Sequence, residues 1–125
     1  MKTLITACCL MLSAPVWATP APEGAEVYFI TPRNGDVVSN PVTVRVGLVN
    51  MGVAPAGQNV AKTGHPHVLI DLDELPPLDL PLPMSENVVH FGGGQTETSL
   101  ELEPGTHTLQ LLLGDHAHIP HEPPV

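Results

Sequence analysis

Seven histidines stand out among the 125 residues, because imidazole is the side chain that most often binds transition metals near neutral pH. Five of them fall into two dense clusters, Gly64-His65-Pro66-His67 and the segment 115–121. Short histidine-rich tracts predict metal binding more readily than core packing. We predict that a metal site is built from His65, His67, His90, Asp115 and one or more of His116, His118 and His121.

The His-x-His spacing suits a β-strand. Residues two apart on a strand point to the same face, roughly 6.5–7 Å apart, so two imidazoles can converge on one ion at about 2 Å from each nitrogen. Pro66 favours an extended backbone at His65. The alternative interpretation is that His65 and His67 are solvated residues at a strand entrance and that 115–121 is an acidic tail. On either interpretation we expect neither His65 nor His67 in the core.

The remaining candidates have more than one role open. Asp115 could be a ligand or the acceptor that fixes an imidazole tautomer. Either His90 or His107 could complete the site, although for His107 we favour a partly buried ring bonded to the backbone. Imidazoles with a carboxylate suit Cu(II) or Zn(II), and copper stands higher in the Irving–Williams order. Affinity is expected to fall steeply between about pH 7 and pH 5 as protons compete for ordinary imidazoles.

Residues 1–18 are expected to be a signal peptide. Lys2 supplies the positive charge, an apolar stretch follows, and Val16-Trp17-Ala18 is a small-residue cleavage site. Cleavage near Ala18 predicts a periplasmic or secreted protein, with lipid attachment at Cys8 as the alternative. Cys8 and Cys9 would leave with the signal, which excludes disulfides, thiolate zinc sites and Cys-ligated copper from the mature chain.

The mature chain is strongly acidic. Without Lys2 the chain has three basic and 13 acidic residues, a formal charge of −10. This charge argues against nucleic acids and anionic membranes as partners and favours cations as ligands. No later segment approaches the roughly 18 apolar residues of a membrane span. No serine lies in a Gly-x-Ser-x-Gly elbow, so serine hydrolysis has no support. From the histidine clusters we expect a non-catalytic copper or zinc carrier, buffer or accessory protein. The alternatives are a structural module of the cell envelope and, less favoured, a histidine-ligated metalloenzyme.

Short apolar runs between glycines and 15 prolines predict an all-β chain. After a flexible lead-in at 19–25, we expect one immunoglobulin-like β-sandwich over 26–125. The proline-rich segment 72–84 is expected to be irregular. The predicted strands are 26–30, 42–48, 67–71, 87–91, 98–102 and 106–113.

Six short motifs resemble those of a family of small exported bacterial proteins known as a domain of unknown function. They are Phe29-x-x-Pro32-x-Asn34-Gly35, Met51-Gly52-Val53-x-Pro55-Ala56-Gly57, Gly64-His65-x-His67-x-Leu69-x-Asp71, His90-Phe91-Gly92-x-Gly94-Gln95-Thr96-Glu97, Pro104-Gly105-x-His107-Thr108-Leu109 and Asp115-x-x-His118-x-Pro120. The resemblance implies an exported β-rich module without a settled activity.

Two departures from the family pattern affect this expectation. Pro66 replaces the middle histidine of a triple, so that position cannot be a ligand here. Family members continue past Pro-Pro-Val with one more strand. The resemblance therefore implies a sandwich that lacks its last strand, or one whose exposed sheet edge pairs with another envelope protein.

Overall fold

The computed structural model describes residues 17–125, so nearly all of the predicted signal peptide lies outside the described residues. Within this range the chain forms strands and no helix. A three-stranded sheet has the order β1–β2–β6, and in a four-stranded sheet β4 pairs with β3, β5 and β7. The prediction of an all-β sandwich is confirmed. The strands are β1 (Glu26–Thr31), β2 (Val42–Val49), β3 (Gly52–Val53), β4 (Thr63–Ile70), β5 (Val88–His90), β6 (Glu97–Leu100) and β7 (Leu109–Gly114).

Strand β4 separates two layers of apolar side chains. Val68 and Ile70 lie in the main core with residues of β2. Leu69 points to the opposite face, where it packs in a second cluster with Leu82 and Leu112. The alternation follows the two-residue period of a strand. Because Leu82 belongs to segment 72–84, this irregular segment covers the outer face of the four-stranded sheet.

Strand β4 begins at Thr63, earlier than predicted, and runs through Pro66. The Pro66 carbonyl accepts a hydrogen bond from the Phe91 N–H at 2.9 Å, so the proline nitrogen faces the Phe91 carbonyl, to which it cannot donate. That carbonyl accepts instead from the Gly94 N–H at 3.3 Å. The strand therefore tolerates the proline, and His65 and His67 stand on the same outer face as Leu69.

The terminal segments of the described chain lie beside each other. The Glu122 N–H donates to the Thr19 carbonyl at 3.0 Å, and the Ala21 N–H donates to the Glu122 carbonyl at 2.9 Å. Leu113 of β7 donates its N–H to the Val125 carbonyl at 2.9 Å. The start of the expected lead-in 19–25 is thus tied to the C-terminal residues.

A hydrogen bond between His107 and Asp71 links the chain at the end of the four-stranded sheet farthest from His65. The His107 Nδ1 lies 2.6 Å from Oδ2 of Asp71, and its Nε2 lies 2.6 Å from the Glu103 carbonyl. The second Asp71 oxygen accepts the Thr108 N–H at 2.8 Å. The bond to Asp71 raises the pKa of His107, and the same bond lowers the pKa of Asp71. Both His107 nitrogens are engaged, so this ring offers no free lone pair to a metal.

This contact predicts a pH-dependent contribution to stability. Because the His107 pKa is raised, its contribution is complete below 6.5 and is lost as pH rises through the folded-state value. The Asp71 contribution is present above 3.8 and is lost as pH falls through its lowered pKa. His107→Gln should lower the melting temperature, measured by circular dichroism, more at about pH 5.5 than at about pH 9. An equal loss at both pH values would contradict the assignment.

Candidate metal centre

Four histidines converge on the outer face of the four-stranded sheet: His65, His67, His90 and His118, which we call the histidine cluster. One ligand nitrogen of each lies within 4.8 Å of the other three. His65 and His67 are 1% and 0% exposed, whereas His90 and His118 are half-buried. The arrangement therefore has a buried side and a side open to solvent.

The sheet register aligns three members of the cluster. His67 of β4 lies directly opposite His90 of β5, and their ring centroids are 4.3 Å apart. His65 precedes His67 by two residues on β4, with ring centroids 4.5 Å apart. The convergence expected from His-x-His on a strand is present, and the neighbouring strand supplies a third ring.

His118 reaches the cluster from the turn after β7. Its backbone has φ of 63°, a left-handed conformation that is uncommon for residues other than glycine. Its N–H donates to the Asp115 carbonyl at 2.9 Å, and its carbonyl accepts from the Leu82 N–H at 2.8 Å. In this conformation the His118 Nδ1 shares a 2.9 Å hydrogen bond with Nε2 of His65. Backbone strain of this kind often marks a positioned functional residue.

Asp115 organises this turn from outside the cluster. Its Oδ1 accepts the N–H groups of Ala117 and Ile119 at 2.8 and 3.0 Å, and its Oδ2 accepts the Thr19 hydroxyl at 2.7 Å. Burial raises the pKa of Asp115, but these three hydrogen bonds outweigh burial and hold it below its usual value. Within residues 17–125 no lysine or arginine lies within 4.0 Å of this carboxylate. Asp115 is thus a buried anion, 3% exposed, without a contacting cation in the described chain.

Several buried ring nitrogens have no hydrogen-bond partner among the described residues. They include both nitrogens of His67 and Nδ1 of His90. His90 donates its Nε2–H to the Pro83 carbonyl at 3.1 Å, which leaves the lone pair on Nδ1. An unsatisfied buried polar group costs about 1–3 kcal/mol. Each neutral ring has one lone pair, so a cation bound by His67 and His90 would remove that cost at the nitrogen of each ring that binds it.

Burial keeps three rings of the cluster, those of His65, His67 and His118, in the neutral form at pH 7. It lowers the pKa of His65 to about 4 and that of His67 to about 3, and neighbouring imidazoles lower both further. Burial also lowers the pKa of His118. The neutral ring is the form whose lone pair binds metals. At pH 7 these three rings are therefore in their metal-binding form.

Two glycines make room for imidazoles beside β4. A Cβ atom at Gly114 would lie 2.5 Å from Cε1 of His67, and one at Gly64 would lie 2.8 Å from both the Gly114 carbonyl and Cε1 of His121. Non-bonded contacts this short are sterically forbidden for a Cβ atom, so neither position accepts a side chain unless the neighbouring atoms move. The His67 ring therefore lies against bare backbone.

Gly114→Ala is expected to displace the His67 ring and to weaken metal binding at least tenfold. Overpacking of this kind typically costs about 1–3 kcal/mol of stability. Gly52→Ala is the matched control, because its Cβ would meet Thr63 at an ordinary 3.5 Å. Metal titration and urea unfolding of both variants test the expectation. Unchanged affinity in Gly114→Ala would contradict it.

The structure brings together four of the predicted site residues and leaves three beside them. Asp115 lies in the turn, and the His116 carbonyl accepts the Gly57 N–H at 2.9 Å. His121 is 1% exposed, and its Nδ1–H donates to the Leu113 carbonyl at 3.5 Å. Participation of Asp115, His116 and His121 in metal binding stays a prediction.

The expectation that His65 and His67 lie outside the core is wrong, because segments 72–84 and 115–121 cover their face of the sheet. Sequence reasoning also missed three contributors: Pro83, Gly114 and Thr19. A proline carbonyl, a missing Cβ and a distant hydroxyl acquire roles only through strand register and chain crossing. Gly114 alone had a local signal, since it precedes the histidine-rich segment directly.

Residues 17–125 contain no helix of the length and apolarity needed to cross a membrane. Comparison with curated proteins and with solved structures finds no match. Residues 44–125 match the family model described as a domain of unknown function, DUF4399. The match covers more than half of the chain, and the chain therefore belongs to the DUF4399 family. The matched range contains the whole histidine cluster.

Proposed function

We propose that this protein binds one copper or zinc ion at the histidine cluster and serves as an exported carrier, buffer or accessory protein. The observation that carries the proposal is the convergence of four imidazole nitrogens within 4.8 Å. Strands β4 and β5 and one constrained turn supply them. Surface histidines that meet by chance would not combine deep burial, lone pairs without partners and neutral rings at pH 7.

The spacing is close to that of a four-coordinate site. Opposite nitrogens bound at about 2.0–2.1 Å lie about 4.2 Å apart across a square-planar ion, and any two lie about 3.4 Å apart around a tetrahedral one. The widest pair of the cluster would therefore close by less than about 1 Å in the first case and by up to about 1.4 Å in the second. Adjacent ligands of a square-planar ion lie about 2.9 Å apart. The 2.9 Å between the His65 and His118 nitrogens is a hydrogen-bond distance, and it places both within reach of one ion of either geometry once the shared proton moves to another ring nitrogen.

Charge supports a divalent cation in particular. Imidazole ligands carry no negative charge and would leave the full charge of the ion uncompensated, and a charge buried in protein requires a partner. Asp115 lies close enough to His65 and His118 for its carboxylate to raise the pKa of both rings. Its buried negative charge would therefore compensate a cation held between them.

The number of ligands favours binding over catalysis. Catalytic zinc sites typically keep three protein ligands and one open position. Four imidazoles would fill a four-coordinate ion and leave no open position for a substrate. We therefore propose storage, delivery or assistance to another protein as the role of the site.

Isothermal titration of the exported protein with Cu(II) and with Zn(II) tests the proposal. We expect one ion per chain, bound at least about 100-fold more tightly than by a peptide of residues 115–121. The peptide is the matched control, because it carries three histidines and Asp115 without the strands. Affinity no tighter than that of the peptide would refute a folded metal centre.

A further inference from the structure

We infer that Thr19 is a positioning residue of the metal centre, which acts through Asp115 on His118. The inference rests on the proposed function and deepens it. The first residue after the predicted signal-peptide cleavage site would then contribute to a site whose ligand His118 lies 99 positions later in the chain.

The Thr19 hydroxyl completes the hydrogen bonding of a buried carboxylate. It donates to Oδ2 of Asp115 at 2.7 Å, while the N–H groups of Ala117 and Ile119 bind Oδ1. The two oxygens therefore have different partners, because Oδ1 accepts the N–H groups of the turn and Oδ2 accepts the Thr19 hydroxyl. Without the hydroxyl, Oδ2 would lose its only protein donor among the described residues and the carboxylate could rotate.

Rotation of the Asp115 carboxylate would change the backbone conformation of His118. The Asp115 N–H donates to the Ile119 carbonyl at 2.8 Å, and the Asp115 carbonyl accepts the His118 N–H at 2.9 Å. Together with the side-chain bonds, these contacts close a small ring that holds His118 at φ of 63°. A residue in this disfavoured conformation relaxes when its surroundings loosen, which would move the His118 Nδ1 away from His65.

The backbone of Thr19 is itself anchored to the segment that leaves this turn. Its carbonyl accepts the Glu122 N–H at 3.0 Å, and the Glu122 carbonyl accepts the Ala21 N–H at 2.9 Å. The hydroxyl is therefore presented from a fixed backbone. Outer contacts that orient a metal ligand typically alter metal affinity 10- to 100-fold when removed.

The test compares Thr19→Val, which removes the hydroxyl at nearly constant shape, with Thr19→Ser, which keeps it. Thr43→Val is the matched control, because Thr43 is an exposed residue of β2 on the other sheet. Each exported chain is checked by intact mass and titrated with Cu(II) well below its metal-free melting temperature. The electron paramagnetic resonance spectrum of each Cu(II) complex is also recorded.

We expect Thr19→Val to bind Cu(II) about 10- to 100-fold more weakly and to give a changed spectrum, with Thr19→Ser and Thr43→Val close to the parent. A merely structural role would lower the melting temperature and leave the spectrum of the folded complex unchanged. The inference is overturned if Thr19→Val matches the parent in affinity and spectrum, or if the mature chain begins after Thr19. If the parent itself binds no metal, the proposed function fails and this inference fails with it.

Discussion

His67→Leu is expected to abolish tight metal binding while leaving the metal-free protein at least as stable as the parent. His67 is 0% exposed and both of its ring nitrogens lack partners. Leucine has a similar size, and an apolar replacement for an unsatisfied polar group is nearly neutral or stabilising, by up to about 1–3 kcal/mol. Loss of a direct ligand should cost more than the 10- to 100-fold typical of outer contacts.

Isothermal titration and urea unfolding of the same preparation measure both effects. His107→Gln is the control for affinity, because both His107 nitrogens are engaged with Asp71 and Glu103. Unchanged metal affinity in His67→Leu would show that His67 is no ligand. A large loss of metal-free stability would show that the ring is retained for packing.

The second large effect is on pH dependence. Four ordinary imidazoles with pKa values near 6.5 would lose roughly 10⁵-fold in affinity between pH 7 and pH 5 through proton competition. In the folded protein the pKa of His65 is about 4, that of His67 about 3, and that of His118 is lowered. Protons therefore compete poorly for His65 and His67 above pH 5, and less well for His118 than for an ordinary imidazole, so the loss should stay below about 10³-fold.

The same lowered pKa values predict acid sensitivity of the metal-free fold. Below pH 6.5 the unfolded chain binds protons at His65 and His67, whereas the folded chain does not bind them until the pH approaches about 4 and about 3. The free energy of unfolding therefore falls as the pH decreases over this range. Urea unfolding between pH 7 and pH 4 measures this loss, which should be smaller in His67→Leu. A parent whose stability does not change over this range would contradict the buried, neutral cluster.

The sequence was sufficient to predict most of the strands and the pairing of His65 with His67, although it did not predict β3 and placed the start of β4 at 67 instead of Thr63. Alternating apolar residues in 42–48 and the His-x-His spacing are local patterns, and both survive in the structure because a strand keeps its two-residue period. The sequence alone did not show that His90 and His118, among the remaining histidines, would join the cluster, because their positions depend on tertiary structure. His90 enters through its register with His67, and His118 through a left-handed turn.

Burial of the site could not be predicted for a related reason. Segment 72–84 has no periodicity, yet it places Leu82 over β4 and the Pro83 carbonyl against His90. Tertiary packing of an irregular segment leaves no signal in local sequence. For that reason replacing both His65 and His67 by alanine should leave two cavities beneath this segment.

Nitrogen-resolved NMR of the histidine rings during a Zn(II) titration tests the central claim most directly. It follows each imidazole separately, so it reports which nitrogens bind and in what proportion. We predict that His65, His67, His90 and His118 shift together and saturate at one ion per chain, while the His107 signals stay unchanged. Saturation of His116 and His121 first, with the His65 and His67 signals unmoved, would contradict the metal centre described for this protein.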